Sequence, residues 1–304
     1  MRPVDLARLF LLAALWGGSF IFMRVAAPVL GPIVLVEARV LIAGLVLLGY
    51  ASAARQRLDW RQHWRLYAAV GLLNSAVPFV LIATAELHLT ASLAATLNAT
   101  SPLFGALIAA AWIKEALTLK KLAGIALGIA GVALATGAGP LALSGAVLFS
   151  MAASLCAAGF YGLASTFTRR NAAGVPPLGI AVGSQLAASV FLMPLVPVAL
   201  PAESPSAKVI LCVLALALFS TALAYVLYFR LIADIGPTNA LTVTFLLPAF
   251  SMIWGALFLG ELITVPMLTG CAVILIGTAL VTGVLPRGAI VLRRRLVGVD
   301  GEGI

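Results

Sequence analysis

Apolar residues in this chain fall into ten long runs, at 6–27, 32–53, 66–86, 90–112, 119–137, 142–168, 177–199, 208–232, 238–259 and 265–285. A helix needs about 20 mainly apolar residues to cross the hydrocarbon core of a bilayer. Each run therefore predicts one membrane span, and the chain is expected to be an all-α membrane protein of ten transmembrane helices. The connectors are short and carry Gly, Pro, Asn or charge, as in Gly31-Pro32, Gly137-Ala138-Gly139-Pro140, Asn171 to Pro177, and Ile235-Gly236-Pro237. They leave no room for an extramembrane domain. Arg2 and Arg8 ahead of the first run could mark a signal peptide, but that run is too long for a signal core and has a counterpart later in the chain, so it is read as the first span.

The second pattern is an internal repeat. Sliding the sequence by 146 residues lays 100–136 over 246–282 and matches twelve positions. Composition alone would align several Ala and Leu residues. It would not bring Pro102 onto Pro248, Glu115 onto Glu261, Thr118 onto Thr264, Gly124 onto Gly270 and Gly131 onto Gly277 in one register. The expected domains are a first five-helix repeat over 1–138, a second over 139–286, and a cytoplasmic basic tail over 287–304. Five is odd, so the second repeat must enter the membrane inverted. Inverted-topology repeats are a recurring plan for secondary transporters, in which two halves rock about a central site.

Composition adds the solvent. The chain is 63% hydrophobic and 10% charged over 304 residues, far too little charge to cover a water-soluble surface. The net charge of +9 does not form a nucleic-acid face, because the cations sit in small groups between apolar runs. With the amino terminus cytoplasmic, 16 of the 19 Lys and Arg fall on that side, Arg287, Arg293, Arg294 and Arg295 among them, and two on the other. Such a bias predicts both termini in the cytoplasm. Cys156, Cys212 and Cys271 lie in separate runs with no CxxC or Cys/His cluster, so neither disulfide nor metal is expected.

Leu15-Trp16-Gly17, the paired units Pro102 to Glu115 and Pro248 to Glu261, and the Gly-rich runs GIALGIAGVALAT and GCAVILIGTALVTG together resemble the drug/metabolite transporter superfamily, in particular its EamA-type ten-helix members. The resemblance covers about residues 6–285. It implies a bacterial inner-membrane protein, export of amino acids or related metabolites, and a central cavity lined mainly by spans 1, 3, 4, 6, 8 and 9, with spans 5 and 10 peripheral. The second half departs from the first, with Phe160-Tyr161-Gly162 near the place of Trp16-Gly17.

Polar groups at membrane depth need a partner or a water-filled cavity. Glu37 and Arg39 in span 2 stand out as a coupling or gating pair. Two residues apart on a helix, they point to opposite sides and are not expected to bond each other. The alternative places both near the outer interface. Trp16 and Ser19, Asn74, Asn98 and Ser101 are the candidate cavity wall from the first half; Ser154 and Tyr161, Tyr225 and Tyr228, and Trp254 are those from the second. Aromatic faces and amides suit a zwitterion with an apolar side chain; ordinary helix packing is the alternative for any one of them. Pro102 and Pro248 fall mid-span and are candidate hinges. Glu115 and Glu261, each three residues before a Thr, are expected to serve helix starts. His88 beside Glu86 is expected in a solvated loop, and Gln185 has no evident role.

The leading expectation is a secondary transporter that moves small organic metabolites, most of all amino acids, outward by alternating access. No Walker-type motif is present, so no nucleotide cofactor is expected. Import, or transport of another solute such as a sugar, nucleoside or drug, is the alternative. The chain carries no HExxH, paired intramembrane aspartates or nucleophile motif in a span, so an enzyme is not expected. The expected partners are a small-molecule substrate and membrane lipids, with no nucleic acid, and the working unit is expected to be a monomer.

Overall fold

The computed structural model describes residues 2–137, 144–201, 204–240 and 242–283. The basic tail expected over 287–304 and the connector Ala138-Gly139-Pro140 lie outside the described residues. Those residues are helical throughout, with no strand among them. The helices are α1 (Pro3–Ala53), α2 (Trp60–Ala85), α3 (Ala91–Ile113), α4 (Leu119–Gly137), α5 (Gly145–Asn171), α6 (Pro177–Leu192), α7 (Ala207–Ile235), α8 (Val243–Leu259) and α9 (Val265–Thr282). A 3₁₀ segment, Met193–Val198, prolongs α6.

Eight described helices are long and apolar enough to cross a membrane, where the sequence predicts ten spans. The count departs at two places, each with a physical cause. One is α1, whose 51 residues would measure about 76 Å as a single rod, twice a bilayer's thickness. Its helical geometry breaks at Gly31, where φ is 73° and ψ 154°. That positive φ favours glycine, and the extended ψ is what the following Pro32 demands. The predicted spans 6–27 and 32–53 are thus the two arms of α1. The other is α8, which has only 17 residues. A separate one-turn helix, Pro237–Ala240, takes up the start of the predicted span 238–259.

The spans expected to be peripheral, α4 and α9, form the most extensive helix pairing in the molecule. Their backbones touch because glycine faces glycine: a Cβ on Gly124 would sit 2.5 Å from the Gly277 carbonyl oxygen, and one on Gly131 2.8 Å from that of Gly270. Both arms of α1 run through the middle, against α8, α6 and α7. The principal apolar cluster gathers there, around Phe20, Met23, Leu35, Val36, Phe79 and Leu216. The outer surface is apolar too, with Phe149, Val190, Leu211, Leu257 and Phe258 each more than 60% exposed. A surface of that kind is stable facing lipid and not water.

The two prolines do not sit alike. Span 4 is interrupted at Ala99 and Thr100, and Pro102 occupies the first turn of the piece that follows, Ser101–Ile113. No intrahelical bond is lost there, since first-turn amides have no partner anyway. Pro248 lies within α8, where the ring does remove a bond. The expectation of two equivalent mid-helix kinks is corrected accordingly.

Candidate functional site

Two π-helical turns interrupt otherwise regular helices, Leu72–Ala76 in α2 and Leu218–Leu223 in α7. The 146-residue shift that aligns the halves carries 72–76 onto 218–222, so the two turns are copies of one feature. A π turn widens the helix by one residue and frees backbone carbonyls, which is why such turns concentrate at functional sites. Thr221 illustrates the consequence: its hydroxyl donates to the Leu216 carbonyl at 2.9 Å, leaving oxygen lone pairs aimed away from the helix.

Arg39 takes that acceptor. Its Nε donates to Thr221 Oγ1 at 3.0 Å, its Nη1 reaches Met23 Sδ at 3.5 Å, and its guanidinium carbon lies 3.7 Å from the centre of the Phe79 ring. The side chain is 4% exposed, which excludes the snorkelling position at the interface. Among the described residues no carboxylate comes within ion-pair distance of it. An uncompensated Arg at membrane depth costs about 2.5–3.5 kcal/mol on insertion scales. A desolvated cation–π contact returns up to about 2 kcal/mol, and the bond to Thr221 adds to it. The position is tolerable, but its charge has no counter-ion.

Glu37, two residues earlier, faces elsewhere. Its Oε1 accepts from Ser189 Oγ at 2.6 Å, and its Oε2 is buried without a partner. The two charged residues of span 2 do not bond each other.

Several of the sequence candidates join Arg39 along one face. Asn74, in the first π turn, donates to the Tyr225 hydroxyl at 3.4 Å. Tyr225 stacks on Phe229 with centroids 5.9 Å apart, Phe229 meets Tyr228 at 6.0 Å, and Tyr228 meets Trp16 at 5.3 Å. Tyr161 packs on the Phe79 side, 6.5 Å between centroids. A continuous polar and aromatic wall thus runs from Arg39 to Trp16 and draws on both halves of the chain. Trp254 is placed differently: its indole donates to the Ala14 carbonyl at 3.0 Å and fixes α8 to the first arm of α1. The hydroxyls of Ser19, Ser101 and Ser154 are taken up by the carbonyls of Trp16, Asn98 and Ala94, and Asn98 contacts Ser101 alone among side chains. These four sit at helix contacts.

Sequence reasoning missed Thr221, Phe79, Gln185 and Glu86. The repeat could have found the first, because the 146-residue shift lays Asn74-Ser75 over Ser220-Thr221. Gln185 is wholly buried and donates to Ser75 in the first π turn at 2.8 Å. The expectation of a solvated pair at Glu86 and His88 is corrected for Glu86: that residue is fully buried and both carboxylate oxygens lack a partner, whereas His88 is exposed.

Comparison with known proteins agrees with this architecture. The sequence profile of the EamA-like transporter family matches residues 6–137 and again 147–283. The chain belongs to the EamA-like transporter family. EamA relatives of known name include the uncharacterized transporter YvbV of Bacillus subtilis, 26% identical over 89% of this chain and 88% of its own length. The uncharacterized inner membrane transporter YedA of Escherichia coli is 28% identical over 90% of this chain and 89% of its own. A probable terminal-alkyne amino-acid exporter of Streptantibioticus cattleyicolor is 26% identical over 90% and 91%. A solved crystal structure at 20% identity superposes over 98% of this chain and all of its own, with a TM-score of 0.67, and shares the fold. The protein is a multi-pass membrane transporter of EamA type, built on a duplicated repeat.

Proposed function

We propose that this EamA transporter exports small carboxylated metabolites, amino acids foremost, across the bacterial inner membrane by alternating access. The observation that carries the reading is Arg39, a buried cation beside an aromatic wall with no anion to neutralise it. A substrate carboxylate fits that vacancy in charge, and a planar guanidinium binds carboxylates through paired N–H donors. The aromatic rings from Tyr225 to Trp16 then suit an apolar side chain. The name of one distant relative, the amino-acid exporter, supports the same class. Sugars and nucleosides would leave the Arg39 charge unmatched, which favours the carboxylate reading.

Both termini are assigned to the cytoplasm from the distribution of Lys and Arg, and a monomer is taken as the working unit. Glu37, with one oxygen held by Ser189 and the other free, is the proposed proton site. The direct test is flux of a labelled amino acid panel into proteoliposomes with and without a pH gradient. Saturable movement of at least one amino acid is expected, and movement of none removes the substrate reading. Glu37→Gln should abolish the response to the pH gradient; an unchanged response assigns coupling elsewhere.

Pro102 and Pro248 are the proposed hinges, and their different placements predict different effects. Pro248→Ala restores a helical bond in α8 and should slow turnover several-fold while substrate affinity stays within about twofold. Pro102→Ala restores none and should have the smaller effect. Initial rates at saturating substrate, compared with equilibrium binding, separate the two.

A further inference from the structure

The inference concerns what holds one side of the protein shut, and it rests on the alternating-access reading above. At the end of the molecule opposite the amino terminus, the hairpin joining α2 to α3 is gripped from both sides. Arg24, on the first arm of α1, donates through Nη1 to the carbonyls of Glu86 and Leu87, the last of α2. Glu261, just beyond α8, takes the first amides of α3: Oε1 accepts from Ala91 N at 2.7 Å, and Oε2 accepts from Ser92 N at 3.0 Å and from the Ser92 hydroxyl. A cation on free carbonyls and an anion on free amides match the charges at helix ends, so both contacts are favourable. The Glu261 contact also crosses between halves, tying the end of the second to the middle of the first. An open depression of about 450 Å³ lined by Arg24, Val25, Pro28, Thr90, Leu259 and Glu261 lies beside this grip.

The repeat supplies a counterpart at the other end. Glu115 is the copy of Glu261. Arg24 lies eight residues before Pro32, which opens the next arm of α1, and Arg169 lies eight before Pro177, which opens α6. If the two ends were in the same state, Glu115 and Arg169 would grip the connector around Gly236. Instead they hold each other. Arg169 Nη2 donates to Glu115 Oε2 at 2.6 Å, and Lys121 Nζ donates to Oε1 at 2.6 Å. These bonds, from Lys121 first and Arg169 next, keep the Glu115 carboxyl below the usual carboxylate range, so it stays ionised at neutral pH.

We infer that Arg24 with Glu261, and Arg169 with Glu115, are two copies of one latch, thrown at the far end and released at the amino-terminal end in this conformation. In the opposite conformation the arrangement exchanges: Arg24 pairs with Glu261, the α2–α3 hairpin is freed, and Glu115 and Arg169 close on the connector around Gly236. These residues act on the position of the halves and do not touch substrate.

Spin-label distances in the full-length protein test this without substrate. With the three native cysteines replaced, one label pair is His88→Cys with Leu262→Cys at the far end, and another is Leu117→Cys with Asn239→Cys at the near end. Glu261→Gln should lengthen the far distance and shorten the near one, changing the ratio of the two populations about tenfold, as expected for losing a charge-assisted cap. Glu115→Gln should move both distances in the opposite sense. Ser92→Ala, which leaves the two backbone amides in place, should act like Glu261→Gln but more weakly. A shift in the same direction for both glutamate variants, or in neither, overturns the latch. Flux of the amino acid panel is read separately: transport with unmoved distances discards the latch alone, and distances that exchange without transport discard the substrate reading alone.

Discussion

Arg39→Met is expected to lose transport of carboxylated substrates while keeping, or gaining, thermal stability. The two effects separate because the arginine is costly in the empty protein and useful only when an anion arrives. Removing it deletes a buried cation that insertion scales set at about 2.5–3.5 kcal/mol, together with a cation–π contact of about 2 kcal/mol and one hydrogen bond to Thr221. Those quantities nearly cancel, and methionine refills the space beside Phe79 and Met23. With substrate bound, the loss is one-sided: truncating one partner of a buried charge pair costs about 2–5 kcal/mol, or roughly 30- to 5000-fold in affinity. Arg39→Lys keeps the charge but loses the planar stack and the fork, and an intermediate loss of about tenfold is expected. Binding and flux of an amino acid, compared with the amine that lacks its carboxylate, provide the check. Only the amino acid should be sensitive to the residue at 39. If Arg39→Met destabilises the fold and transports normally, the guanidinium is a structural group.

How much of this could be read from the sequence depends on whether a residue acts through its neighbours in the chain or across the bundle. The membrane class and the duplicated halves follow from run length and register, since about 20 apolar residues span a bilayer whatever they pack against. Gly31-Pro32 was legible as a boundary because it marks a positive φ followed by a restricted ring. The count of spans was less so, because nothing local foretold that the predicted run 238–259 would break after Ala240. The site was half legible. Arg39 and Glu37 stand out as charges in an apolar run, and that signal is local. Phe79 and Thr221 do not, because one is another apolar residue and the other a common helix residue until the π turn aims it at Arg39. Glu86 was misplaced for the converse reason: a charged residue near a run's end looks solvated unless Arg24 and Glu261 are known to fold over it.

The second large effect is expected at the seam between α4 and α9. Helices in lipid gain little from burying apolar surface, so their association depends on how closely the backbones approach. Here that approach is made at two points, Gly124 against Gly277 and Gly131 against Gly270, and the repeat relates one point to the other. A Cβ on Gly277 would lie 2.5 Å from the Gly124 carbonyl oxygen, and one on Gly270 2.6 Å from that of Gly131. Backbone cannot swing aside as a flexible side chain can, so even alanine must push the helices apart. Gly277→Ala should destabilise by about 1–3 kcal/mol, and Gly277→Leu should prevent the pair from forming. Gly49→Ala is the contrast, since nothing lies within 4 Å of its missing Cβ and it sits inside a helical arm. That change should be neutral or stabilising by about 0.5–1 kcal/mol. A pair of double variants separates close contact from general loss of packing. Gly124 and Gly277 share one point, so their alanine variants should cost less together than the sum, because the first has already opened the gap. Gly131 and Gly277 belong to different points about 10 Å apart along the helix, and their costs should add. Thermal unfolding in detergent, followed by tryptophan fluorescence, gives all the required values. Full additivity for the Gly124 and Gly277 pair would mean that the two glycines do not meet.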